Sequence, residues 1–271
     1  MALALLGLLC MRGASGAFAE ELAGFDCLVD PYLVSDVSTR EEGVLEELLV
    51  KRGDLVEKGQ AVARLDAEIE EATVALAQAK ANLSGEIQER RERLAFLRRE
   101  LKRLRDLRAN KAVSSRDVDE AASEAHRAKL FLEQAKEKEQ LARLELVRAE
   151  KVLGNRTIHS PVKGIVVDTL LSPGESVENR PLVQIAQVDP LKVEVIVPVE
   201  YFGAIAVGAK AEVLPRYPHA QAHTATVTVV DRVVDAASDT FGVLLELPNE
   251  GYEIPGGVRC EIRFEVPDRG Q

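Results

Sequence analysis

Between Pro31 and Pro161 the 271-residue chain contains no proline, while the other ten all fall at or after position 161. Inside that stretch, from Ala67 to Gly154, apolar residues recur at helical spacing. Ile69, Leu76, Leu83, Leu97 and Leu104 follow at seven-residue steps that skip only Arg90, and Ile87, Leu94 and Leu101 form a second series. This is the a/d seam of a coiled coil. The second half carries Val118, Ala125, Leu132, Leu146 and Leu153, with Glu139 interrupting, beside Ala121, Ala128, Ala135, Ala142 and Ala149. Alanines at that strict spacing let one backbone approach another closely.

The heptad fails between Ala109 and Ser115, where Ser114 is placed to cap a new helix with Asp117 at its third position. A short turn makes the flanking helices antiparallel neighbours. A continuous helix from 67 to about 109 would be ~65 Å long at 1.5 Å per residue, so the expectation is a rod and not part of a globule.

The charge is divided unevenly. The net charge is −10, yet residues 67–154 hold 19 basic and 17 acidic side chains, leaving 16 against 28 in the flanks. An acidic remainder argues against nucleic acid as a partner. Arg98, Arg99, Arg103, Arg105 and Arg108, clustered before the turn, read as a solvated coiled-coil face balanced by neighbouring glutamates, with a polyanion site as the alternative. Tryptophan is absent and aromatics make up 4% of the chain, so small cores are expected.

The first nineteen residues read as a secretory signal: apolar Leu3 to Leu9, then Ala17-Phe18-Ala19 as a cleavage site before Glu20. The basic lead-in is missing, since Arg12 follows the apolar run. A lipid anchor at Cys10 ranks second, because Leu9 stands where a small residue is needed. In an exported chain Cys27 and Cys260 either pair or sit as separate buried thiols, and the sequence leaves both open.

On either side of the rod the chain repeats itself. Gly43-Val44-Leu45 leads to Gly53-Asp54-Leu55-Val56, Lys58-Gly59-Gln60 and Ala61 to Asp66. After the rod, Gly164-Ile165-Val166 leads to Pro173-Gly174-Glu175-Ser176-Val177 and Leu182 to Ile185. Gly43 and Gly164, like Gly53 and Gly174, are displaced by 121 residues. Glycine, an acidic residue and an apolar one suit a tight turn with positive φ leading into a strand. Neither copy alone can close a core, but two facing each other can. The rod is therefore read as an insertion in one β module, with Asp66 capping the outgoing helix and Gly154-Asn155 ending the returning one. Beyond Val188, Leu191–Val197, Thr224–Val230, Phe241–Leu247 and Val258–Phe264 are strand candidates, and with a helical pause around Val199 to Val207 they fit a small β-barrel.

This order resembles the periplasmic adaptor, or membrane fusion, proteins of tripartite efflux pumps, within the HlyD-like secretion adaptors. The resemblance covers essentially the whole mature chain. It rests on the two glycine half-motifs with Leu65-Asp66, on Thr157 to Val166, and on Pro248-Asn249 to Pro255-Gly256. Most specific is the turn of the rod, where adaptors that dock on outer-membrane channels carry a pattern matched here by Arg103, Leu104, Leu107, Ala112, Ser114, Val118 and Asp119. The resemblance implies a mixed α and β, elongated fold: a leader at 1–19, a lipoyl-like β-sandwich split over 27–66 and 155–187, an antiparallel coiled-coil hairpin at 67–154 and a β-barrel at 188–266. It also implies a non-enzymatic periplasmic protein associated with the inner membrane, assembled as a hexameric ring between an outer-membrane channel and an inner-membrane transporter, RND-type favoured and ABC-type second. The family's membrane-proximal domain is expected to be absent or vestigial.

Other functions find thin support. A lipoyl or biotinyl carrier needs an acceptor lysine where Asp66-Ala67-Glu68 stands. Gly203 to Lys210 misses a phosphate loop by one place and lacks the following Ser or Thr. His219 and His223 have no third ligand, so no metal or cofactor is expected. A purely structural coiled-coil scaffold would explain the rod but not the duplicated module at its root.

Overall fold

Residues 20–21, 24–39, 41–178 and 180–266 are described in the computed structural model, so the leader at 1–19 and Cys10 lie outside the described residues. Five strands, β1 (Glu20–Glu21), β2 (Phe25–Ser38), β3 (Gly43–Leu48), β4 (Leu55–Val56) and β5 (Ala61–Leu65), precede the helices α1 (Glu68–Ala81), α2 (Gly85–Ala109) and α3 (Ser115–Gly154). Then come β6 (Thr157–His159), β7 (Gly164–Thr169), β8 (Ser176–Val177), β9 (Pro181–Pro198), β10 (Lys210–Pro215), β11 (His223–Val230), β12 (Thr240–Leu247) and β13 (Val258–Val266), with a 3-10 turn at Val199–Tyr201 before β10.

The 121-residue repeat becomes reciprocal hydrogen bonding. Leu45 N donates to Glu175 O at 2.9 Å and Val166 N to Asp54 O at 2.9 Å. Gly174 N donates to Leu45 O at 2.7 Å and Gly53 N to Val166 O at 2.8 Å. Each copy's turn thus closes on the other copy's strand. The turn glycines adopt φ of 93° at Gly53 and 91° at Gly174, which any side chain would strain. The acidic residue after each pins its turn: Lys51 N donates to Asp54 and Ser172 N to Glu175. Gly59 also has positive φ, whereas Gly164 is needed for closeness, a Cβ there running into the Ala186 backbone, and a Cβ at Gly43 would meet the end of the Arg156 side chain. One sheet runs β6-β5-β3-β8, and β4-β7-β9 with the far part of β2 faces it. Leu45, Val56 and Leu65 from one copy meet Val166, Val177 and Ile185 from the other in a shared core.

A second core fills a closed antiparallel barrel, in which β9, β2, β13, β10, β11 and β12 pair in turn and β12 returns to β9. Strand β12 alternates buried and half-buried positions along its whole length, as a stave must, and Phe241, Leu245, Ile262 and Phe264 fill the inside. Two staves are shared with the duplicated module: β2 and β9 run unbroken from one into the other. The barrel therefore draws Phe25 to Pro31 from outside 188–266. Cys27 and Cys260 face each other across β2 and β13 and form a disulfide, which settles their two readings. Asn249 clamps the loop before β13, its amide donating to Val188 O and Ile254 O while its oxygen accepts from Ile254 N.

The rod departs from the expected two continuous helices. Residues 82–84 leave the helix, so the outgoing arm is α1 and α2 in tandem while α3 alone runs 40 residues, ~60 Å. Asn82, Ser84 and Gly85 are poor helix formers with only Leu83 among them, and a side chain at Gly85 would meet nothing within 4 Å. The break resets the helical phase. Ile87, Leu94 and Leu97 are buried against Ala125, Ala128, Leu132 and Ala135 as the heptad requires. In α1 the buried positions are Ala77 and Ala81, and the heptad residues Ile69 and Leu76 are 77% and 58% exposed, as is Leu83 in the break, 73% exposed.

Candidate functional site

The far turn of the rod is built from local backbone bonding. Ala112 N donates to Leu107 O at 3.0 Å and Lys111 N to Arg108 O at 2.9 Å, the double closure that ends a helix through a left-handed residue. Arg108 reaches forward to Val113 O at 3.3 Å, and Asn110 Nδ2 back to Asp106 O at 3.2 Å. Helix α3 then opens on the capping box read from the sequence. Ser114 Oγ accepts from Asp117 N at 3.2 Å, and Asp117 Oδ2 accepts from Ser114 N at 2.9 Å and from Ser114 Oγ at 2.7 Å. The Ser114 hydroxyl, with its backbone amide, holds the Asp117 carboxyl below its ordinary pKa. The amides of Lys111, Ala112, Ser114 and Asp117 are thus bonded within the turn, the side chains of Arg108, Asn110, Ser114 and Asp117 take part in its closure, and those of Leu107, Lys111 and Ala112 are exposed.

Arg103 and Asp119 do not meet. Arg103 is bound by Glu100 on its own helix, Nη2 to Oε1 2.5 Å, and Asp119 has no side-chain partner among the described residues. Leu104 and Val118 are half-buried at the end of the seam, while Leu107, Ala112 and Ser114 are exposed. All seven positions lie in the last turns of α2, the connecting loop and the first two turns of α3.

At the root, sequence reasoning missed Arg156. Its side chain is 15% exposed and binds Glu70 of α1 at 2.5 Å and Glu42 O at 2.8 Å. Asn155 beside it donates to Glu41 at 3.2 Å. The returning helix is thereby tied to both the outgoing one and the loop before β3. The guanidinium hydrogen bond holds the Glu70 carboxyl below the usual glutamate range. Asp66 acts from just outside α1, accepting from Glu68 N at 3.1 Å, with Ala67 and not Asp66 at the cap position. A single arginine after a helix end has no pattern by which to find it.

A two-armed helical rod rising from a duplicated β module, followed by a closed barrel, is the fold of the membrane fusion and periplasmic adaptor proteins. The chain is similar over 93% of its length to MacA from Actinobacillus actinomycetemcomitans, 20% identical with TM-score 0.76 over 80% of that chain. It is also similar to the membrane fusion protein Spr0693 from Streptococcus pneumoniae, 16% identical with TM-score 0.59, covering 91% of this chain and 100% of that one. A MacA–MexA chimera carrying the Pseudomonas aeruginosa MexA α-hairpin gives TM-score 0.55 at 20% identity, covering 92% of this chain and 80% of that one. At these identities the likeness concerns the fold. Among curated proteins, an uncharacterized protein of Haemophilus influenzae is 22% identical over 89% of this chain, which spans 56% of that relative's length. No protein-family model matches.

Proposed function

We propose that the chain is a non-enzymatic periplasmic adaptor, associated with the inner membrane of a Gram-negative cell, that links an inner-membrane transporter to an outer-membrane channel through the far turn of its rod. The observation that carries this reading is the insertion itself: the rod leaves and re-enters a module whose halves hydrogen-bond reciprocally, with both arms locked at the root by Arg156. A hairpin serving only as packing material would have no use for ~60 Å of reach.

In this reading the duplicated module is lipoyl-like and stacks with its copies in a hexameric ring. The exposed Ile69 and Leu76 of α1, with Leu83 in the break beyond it, support packing of rod against rod. Arg103, Leu104, Leu107, Ala112, Ser114, Val118 and Asp119 meet the channel, and the barrel faces the transporter, RND-type in the first instance and ABC-type as the alternative. Among the described residues no helix is long and apolar enough to cross a membrane.

The test is cross-linking in intact cells from a Ser115→Cys variant, with identification of what is captured. An outer-membrane channel is the expected product. A tip that captures only other copies of the same chain would contradict docking and favour a scaffold.

A further inference from the structure

Beyond the motif positions, the far end of the rod holds cations that have no side-chain partner among the described residues. Between residues 98 and 116 stand eight basic side chains and two acidic ones, in a protein of net charge −10. Arg103 is bound to Glu100, Arg116 to Glu120, and Arg108 to the Val113 carbonyl. Arg98, Arg99, Lys102, Arg105 and Lys111 are exposed and have no side-chain partner among the described residues.

Their arrangement is not that of a balanced coiled-coil surface. Arg98, Lys102 and Arg105 follow at i, i+4 and i+7 on one face of α2, within ~10 Å, with Arg99 beside them. None of the three arginines has an acidic residue three or four positions away, whereas each has a basic one there. Like charges at that spacing weaken a helix. Lys111 adds a second, independent cost. It occupies the left-handed position of the helix end, φ 57°, where glycine is the unstrained choice. A lysine kept in strained backbone at a turn whose hydrogen bonds do not use its side chain points to a role for that ammonium outside the chain.

We propose that the far end of the rod is a cationic head that fits an acidic protein surface, its stripe of Arg98, Arg99, Lys102, Arg105 and Lys111 lying against carboxylates of the partner while Arg103 remains engaged with Glu100. This rests on the docking reading above and adds the chemistry of the surface met. A protein fits better than an anionic membrane. The end carries Asn110, Ala112, Ser114 and Ser115 in place of an apolar wedge, and Asp117, Asp119 and Glu120 open the adjoining helix, where a charged bilayer would repel them.

The experiment uses the full chain with Ser115→Cys as the cross-linking site in intact cells. Lys111→Gly removes one charge while relieving strain, so its effect cannot come from misfolding. Arg98, Arg99, Lys102 and Arg105 are replaced together by Gln, which keeps helix propensity. Capture is expected to fall several-fold in the first and about tenfold or more in the second, and the cross-linked partner peptide is expected to be rich in Asp and Glu. Undiminished capture in the Gln variant, or a contact peptide without carboxylates, overturns the inference while leaving docking in place. Absence of any captured partner in the parent removes both. Sedimentation of the purified parent, but not the Gln variant, with vesicles of equal parts phosphatidylglycerol and phosphatidylethanolamine would assign the charge to lipid and overturn the protein partner.

Discussion

The two ends of the rod are built on opposite principles. At the root, Arg156 is largely buried, bonded to Glu70 and Glu42 and crowded against Gly43, and the strands below it are stitched to each other by reciprocal backbone bonds. At the far turn every stabilising contact is local, and the cations that surround it are exposed. The root fixes a direction, and the exposed cations of the turn suit the docking proposed above. A rod that served only to stiffen the molecule would gain nothing from this asymmetry.

Substitutions at the two ends should therefore differ in size and in reach. The largest effect is expected beneath the root. Leu65→Ala, at a fully buried position whose amide donates to Arg156 O, should cost about 2–5 kcal/mol in a denaturant titration. A loss confined to the rod would mean that the module and the rod are not joined as described.

Next comes Arg156→Met, which removes a charged hydrogen bond and leaves Glu70 without its partner, at roughly 1.5–3 kcal/mol. Its pH dependence gives the sign. Because the folded-state pKa of Glu70 is lowered, the stability it supplies is present above the usual glutamate range and is lost as pH falls through the lowered value. The gap between parent and variant should be full at neutral pH and close in acid. A gap independent of pH would assign the loss to packing instead.

At the far end, Ser114→Ala should cost ~1 kcal/mol, read as faster amide exchange in the first turn of α3 with the root unchanged. The smallest effect is expected at the break in the outgoing arm. Gly85→Ala, which meets nothing, should stabilise by about 0.5–1 kcal/mol and raise helical circular dichroism. Destabilisation there would mean that the joint is needed in its broken form.

What the sequence made legible follows from how local each signal is. The capping box at Ser114 and Asp117 and the turns at Gly53 and Gly174 are set by residues a few positions apart, and they occur where read. The strands Thr224–Val230 and Phe241–Leu247 fall within β11 and β12, the second alternating along its whole length and the first up to a shift in register between Val227 and Val229. The break at 82–84 was hidden because heptad counting carries a phase across residues that are not helical, so Ile69, Leu76 and Leu83 passed for a seam they do not join. Two barrel staves were missed for related reasons. Lys210–Pro215 is short and ends on proline, and Phe25 to Pro31 lies far from the other staves in sequence, with Pro31 at a shift in register. The unbalanced charge of the far end was written in the sequence, but whether those arginines had partners depended on geometry.

The claim that the far turn meets a foreign protein can be tested most directly by maleimide labelling of a cysteine placed at Ser115 in a Cys10→Ser background, since Cys27 and Cys260 are bound to each other. In the purified protein this exposed position should label fully. In intact cells the account predicts that it is shielded, and that shielding disappears once the envelope is dissolved in detergent. Equal, rapid labelling in cells and in solution would contradict it.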